Sequence, residues 1–175
     1  MVFTCEGIGD IKAVMLQAHK SVLFVCTGNI CRSPTAEGIL RARLSELGRL
    51  DEYRIDSAAT HSWNVGCPPD DRSAAVARAN GVSLDGMRAR RIRPSDFREF
   101  SVMLAMDKGH LQTLRAHRPD DNPPEIRLFL DLYPGHEGQD VPDPYYGDMP
   151  GFHHVYDLIN RGVEAILQSL KRPWN

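Results

Sequence analysis

The feature that most restricts the fold is a junction near the front of the chain. A short, apolar, β-branched run, SVLFV at residues 21–25, breaks into CTGNICRS and then at once into a helical pattern. From Pro34 to Leu47 the apolar positions Ala36, Leu40, Leu44 and Leu47 share one face, with Ser33 as the expected N-cap, Pro34 as first helical residue and Gly48 as the stop. A strand feeding a helix through so tight a loop is half of a crossover unit, which closes with a parallel neighbour. The rest of the chain supplies those neighbours. Strands are expected at Tyr53–Ala58, Ser101–Met106 and Glu125–Leu130, and helices at Asp70–Ala79 (closed by Asn80 and Gly81) and Asp107–Arg115. A last helix carries Phe152, Val155, Ile159, Val163, Ile166 and Leu170 at steps of three and four.

This alternation predicts an α/β fold: one three-layer domain with a central parallel sheet of about four strands, helices on both faces and a phosphate-binding loop after the first strand. A chain of 175 residues fits one domain. We expect residues 1–20 to form a loosely ordered N-terminal extension and the domain to run over 21–175. Neither a span of about 18 apolar residues nor a basic start with an uninterrupted apolar run is present, so a cytoplasmic protein with no membrane partner is expected.

Cys26 stands at the end of the first strand, Arg32 six positions on, and the helix start follows. Gly28 and Asn29 tolerate positive φ, so Thr27, Gly28, Asn29, Ile30 and Cys31 can curl into a nest of inward-pointing N–H groups. The positive end of the helix adds to the same spot. Net charge is −2, giving no general attraction for nucleic acid, so any pull on an anion must be local. Cysteines at helix N-termini beside cations are activated nucleophiles. Arg32 offers a planar fork for two phosphoryl oxygens, and Ser33 a hydroxyl for the Cys26 sulfur. The alternative Gly-rich nucleotide loop ending in Lys is absent.

The string VLFVCTGNICRSPTAEG resembles the signature loop of the low-molecular-weight protein-tyrosine phosphatases at almost every position. DSAATHSWNVGCPPDDR resembles that family's second strand and the loop whose Trp walls the cleft, here Trp63; VPDPYYGD resembles its acid loop; and FHHVYDLI resembles its last helix. The resemblance implies catalytic residues Cys26 (nucleophile), Arg32 (phosphate clamp) and Asp143 (general acid, then base), with Tyr145 and Tyr146 flanking the substrate ring. It implies hydrolysis of phosphotyrosine monoesters through a phosphocysteine, no cofactor and no metal. It also implies that Cys31 is a redox partner of Cys26.

The expected partners are phosphotyrosine-containing proteins, with a tyrosine kinase as a candidate, and the expected state is a monomer or weak dimer. Trp63, Tyr145 and Tyr146 would form walls deep enough for a phosphorylated phenol. Relatives selective for phosphoarginine resemble this loop but tend to carry Thr where Ile30 stands, which weighs against that substrate. Arsenate reductases need further downstream thiols, and Cys67 is the only later cysteine. A phosphocysteine carrier would not need the DPYY acid loop. Asn80 stands where animal members often have a His that buttresses the loop Asn, so loop rigidity is less assured here. The run Arg88, Arg90, Arg91 and Arg93 is a candidate for steering phosphorylated partners.

Overall fold

Strand β1 (Ser21–Cys26) lies inside the sheet, with β2 (Arg54–Ala59) on one side and β3 (Val102–Ala105) on the other; β4 (Glu125–Leu128) pairs with β3. The computed structural model describes residues 21–170, so the expected extension, with Cys5, lies outside the described residues. All three strand pairings are parallel, in the order β2-β1-β3-β4, with Cys26 opposite Ala59 and Val25 opposite Ala105. A strand paired on both sides and covered on both faces needs apolar side chains at every position, which is why SVLFV runs on without alternation.

Alternate residues of β1 feed two cores. Val22, Phe24 and Cys26 join the cluster made with helices α1 (Arg32–Glu46), α2 (Asp71–Ala79) and α5 (Met149–Leu170). Leu23 and Val25 face the second cluster, with Phe97 of the short helix α3 (Asp96–Glu99) and Leu114 of α4 (Lys108–Ala116). The three layers are those expected. Two short pieces, α3 and a 3₁₀ turn at Leu50–Glu52, lacked enough length to show a period. The apolar run after β4 reads as strand to Leu130 in sequence, yet the chain turns into a 3₁₀ helix at Phe129–Leu132, because a short apolar stretch does not distinguish the two.

Helix α1 departs from expectation at its start. It begins at Arg32, with Cys31 in the N-cap position and no side-chain cap. Ser33, expected to cap, lies inside the first turn and spends its hydroxyl on the Cys26 sulfur at 3.0 Å. Gly48 closes the helix as expected, at φ 67°. By contrast Asp70 and Asp107 cap α2 and α4, accepting from Arg72 N and His110 N.

Helix α5 presses on Phe129 through Gly162. A Cβ there would sit 2.6 Å and 2.7 Å from the Phe129 ring, a rigid group with no room to turn aside. Overpacking costs about 1–3 kcal/mol, and the better helix propensity of Ala offsets up to ~1 of it. Gly162→Ala is therefore expected to lower the unfolding free energy by about 1–2 kcal/mol in urea titration, with no change in the loop after β1.

Candidate active site

The loop after β1 is held from outside by backbone donors, Thr60 N to Cys26 O, His61 N to Thr27 O and Asp70 N to Ile30 O, and from within by side chains. Asn29 takes the left-handed conformation, φ 56°. Its Nδ2 donates to Ser33 Oγ (2.9 Å) and Ser57 Oγ (2.8 Å), and its Oδ1 accepts from Arg90 N (3.0 Å). All three bonds are needed, since Asn29 is only 3% exposed and a buried amide left unpaired is costly. Ser33 Oγ already accepts from Asn29, so its own proton is free to be donated to Cys26 Sγ. Ser57 passes its proton to Glu37 Oε2 at 2.6 Å, and burial raises the Glu37 carboxyl, against the lowering effect of Ser57 and Arg41.

The structure corrects one sequence expectation and locates two other features of the sequence. Gly28 does not have positive φ; it is Gly because a Cβ would lie 2.5 Å from Asn64 Nδ2, which closes over the loop. Asn80 is the C-cap of α2, and its Nδ2 donates to Val76 O rather than to Asn29. The buttress of Asn29 comes instead from Ser57 and the Arg90 backbone. Of the arginine run, Arg90 is consumed in ion pairs with Asp56 and Asp96, while Arg88, Arg91 and Arg93 are exposed.

A cleft of about 220 Å³ opens over the loop. Cys26, Arg32 and Asp143 meet in it, with Trp63, Tyr145 and Tyr146 around them. Thr27, Gly28, Ile30 and Cys31 also line it, whereas Asn29 and Ser33 brace the loop from outside the cleft. Trp63 stacks on His61 with ring centroids 4.4 Å apart, and Tyr145 meets Tyr146 edge to face at 5.0 Å. The rim is open, Trp63 being 74% and Tyr146 95% exposed.

Arg32 is only 3% exposed and is the hub of the charges. Its Nη1 donates to Asp107 Oδ2 (2.9 Å) and Val141 O (3.1 Å); its Nη2 donates to Asp143 Oδ2 (2.9 Å) and Thr27 Oγ1 (3.3 Å). Thr27 Oγ1 in turn lies 2.8 Å from His110 Nε2, and His110 Nδ1 lies 3.0 Å from Asp107 Oδ1, inside ion-pair range but off the line of a hydrogen bond. Burial alone would raise the Asp107 carboxyl, but the contacts of His110 and the charge of Arg32 outweigh it and hold that group well below the usual carboxylate range. Burial pushes the Cys31 thiol up to about 12, only partly opposed by a hydrogen bond with Ser73.

Asp107, His110, Asn64 and the Val141 carbonyl were not singled out from sequence. Asp107 carried a usable signal, since it follows β3, and in such sheets ligands gather at the carboxyl ends where the strand order reverses, here between β1 and β3. Its helix-start position gave a sufficient ordinary explanation.

Comparison with known proteins decides the family. Residues 21–174 match the family model described as low molecular weight phosphotyrosine protein phosphatase. The chain belongs to this family. The low molecular weight protein-tyrosine-phosphatase YfkJ of Bacillus subtilis is 39% identical over 152 residues, covering 87% of this chain and 96% of that protein. Among solved structures, a protein tyrosine phosphatase from Entamoeba histolytica superposes with TM-score 0.80 at 34% identity, covering 86% of this chain and 96% of that one. A structure described as a Drosophila arginine phosphatase superposes equally well, TM-score 0.80 at 34% identity, covering 86% and 98%. As a member, the chain is a phosphoric monoester hydrolase acting on phosphoproteins, a phosphotyrosine phosphatase. No helix of the described residues is long and apolar enough to cross a membrane.

The depressed Asp107 carboxyl links the site to stability. Its folded value lies below the unfolded ~3.9, so its stabilising contribution is complete above that value and is lost as pH falls through the folded one. Asp107→Asn should therefore flatten the decline of melting temperature below about pH 4, measured by circular dichroism, and lower the melting temperature at neutral pH.

Proposed function

We propose that the phosphotyrosine hydrolysis runs through three residues of this cleft. Cys26 Sγ attacks phosphorus in line with the phenolic oxygen, Asp143 gives that oxygen a proton, and the phenol leaves a phosphocysteine. Water then attacks the phosphocysteine while Asp143 takes its proton, releasing inorganic phosphate and the sulfur. The observation that carries this reading is the meeting of Cys26, the buried Arg32 and the half-exposed Asp143 in one cleft. Arg32 has one end fixed by Asp107 and Val141 and the other on Asp143, so a phosphoryl oxygen can take the place of the Asp143 carboxylate, which, freed from the guanidinium beside the incoming anion, takes up a proton from solvent and carries it to the leaving oxygen.

Ser33 aims its proton at the sulfur, which suits both the attack and the later departure of that atom. The uncapped start of α1 adds N–H donors and the positive end of a helix dipole for the equatorial oxygens. Trp63, Tyr145 and Tyr146 accept a flat ring between them, and Ile30 offers it an apolar contact rather than a hydroxyl. A phosphotyrosine in a protein chain, placed there by a kinase, matches this cleft, and a reducing cytoplasm suits its free thiols.

The test is the rate on aryl phosphates and on phosphotyrosine, phosphoserine and phosphoarginine peptides, with chelator present. We expect selectivity for phosphotyrosine, no turnover by Cys26→Ser, at least ~10²-fold loss in Arg32→Lys, and ~10²-fold or greater loss in Asp143→Asn on phosphotyrosine. Preference for phosphoarginine would reassign the substrate.

We also propose that Cys31 protects Cys26 from oxidation. Both thiols are buried, free and line the cleft. Peroxide would convert Cys26 to a sulfenic acid, and condensation with the Cys31 thiol would give a disulfide and water. Cys31→Ser should then be inactivated by peroxide in a form that dithiothreitol no longer reverses; full recovery would remove the protective role.

A further inference from the structure

Asp143 can give a proton to the leaving oxygen only if its loop is held at the right height over the cleft. That loop belongs to a long stretch between Phe129–Leu132 and α5, pinned before Asp143 at Val141, whose N–H donates to Met106 O at 2.8 Å and whose carbonyl accepts from Arg32; after Asp143 its local bonds, Tyr145 N to Asp143 Oδ1 at 3.1 Å and Gly147 N to Pro144 O at 2.9 Å, fix its shape without fixing its place. Beyond Asp143, the α5 residues Gly151 and Phe152 bond only Asp148 of this segment, while Arg72 of α2 reaches its middle. Its Nη2 donates to Tyr145 O at 3.1 Å and its Nη1 to Gly147 O at 3.2 Å. The guanidinium also lies 5.8 Å from the Tyr145 ring centroid and 4.3 Å from that of Phe152, on the first turn of α5.

Arg72 is itself anchored to the phosphate loop. Nε donates to Asp70 Oδ1 at 3.0 Å and Nη2 to Asp70 Oδ2 at 2.9 Å, a two-pronged pairing that holds the Asp70 carboxyl below its usual range. The backbone N–H of Asp70 donates to Ile30 O at 2.8 Å, inside the loop that curls around Cys26. A continuous path thus runs from Ile30 through Asp70 and Arg72 to the carbonyl of Tyr145, the residue whose own N–H bonds Asp143.

We propose that Arg72, braced by Asp70, is a positioning residue that sets the Asp143 loop against the phosphate loop and so governs proton delivery to the leaving group. A fork is required: one face stacks on aromatic rings while separate N–H groups reach Asp70, Tyr145 O and Gly147 O, which a Lys ammonium cannot do at once. The inference rests on the assignment of Asp143 as the acid.

The experiment measures kcat/KM across aryl phosphates graded by leaving-group pKa, from 2,4-dinitrophenyl phosphate, which needs no proton, to phenyl phosphate, which does. It compares the parent, Arg72→Leu, Asp70→Asn (which keeps an N-cap for α2), Asp143→Asn and the Arg72→Leu/Asp143→Asn double variant. Arg72→Leu should lose about tenfold on phenyl phosphate and less than about twofold on the dinitrophenyl ester, with Asp70→Asn shifted the same way. The double variant should be no slower than Asp143→Asn alone, because Arg72 acts only through that carboxylate. An equal loss on every ester, no loss on phenyl phosphate, or a further tenfold loss on the Asp143→Asn background would overturn the proposal. If Asp143→Asn itself showed no dependence on leaving group, the failure would lie with the acid assignment.

Discussion

A guanidinium with 3% of its surface exposed cannot stand alone, and neutralising Arg32 is what forces distant parts of the chain together. Asp107 comes from the end of β3, Asp143 and the Val141 carbonyl from the loop before α5, and Thr27 from the phosphate loop itself. The two carboxylates are not equivalent. Asp107 is 25% exposed and tied twice to His110, whereas Asp143 is 44% exposed and accepts from an Nη2 that also donates to Thr27. One is a fixed counter-ion, the other is placed to yield to an incoming anion.

The two cysteines of the loop, both buried, differ in the groups they face. Cys26 faces a hydroxyl with a proton to give. Cys31 faces Ser73 from a setting that pushes its thiol up to about 12, so it stays protonated at neutral pH and does not compete as a nucleophile. Proximity to the sulfur of Cys26 therefore does not create a second reactive centre, and any role for Cys31 must begin with an oxidised Cys26.

The layers and the pairing of Cys26 with Arg32 on one loop were legible because each rests on local pattern, an apolar run and a helix start, whereas Asp143 was legible only through the resemblance of VPDPYYGD to a family's acid loop. Contacts made across the fold were not. Nothing around Ser57 or Arg90 announces that they hold Asn29, because a β2 serine and a backbone N–H carry no sequence mark of their own. Gly28 was legible as special but for the wrong cause, since sequence offers conformational freedom as the default meaning of glycine and only the fold reveals the Asn64 amide above it. Ser33 was misread for a related reason: Ser before Pro at a helix start suits a cap, and a tertiary partner, the Cys26 sulfur, outweighed that preference.

That uncapped helix start sets a limit on how far this protein can be stabilised without harm. Placing Asp or Asn at position 31 is the obvious thermostabilising edit, worth about 1 kcal/mol in an ordinary helix. Here the added oxygen would occupy the N–H groups at the mouth of the cleft and stand as a built-in competitor for every phosphate that arrives. The helix gives up part of its own rigidity so that its first turn stays vacant for substrate.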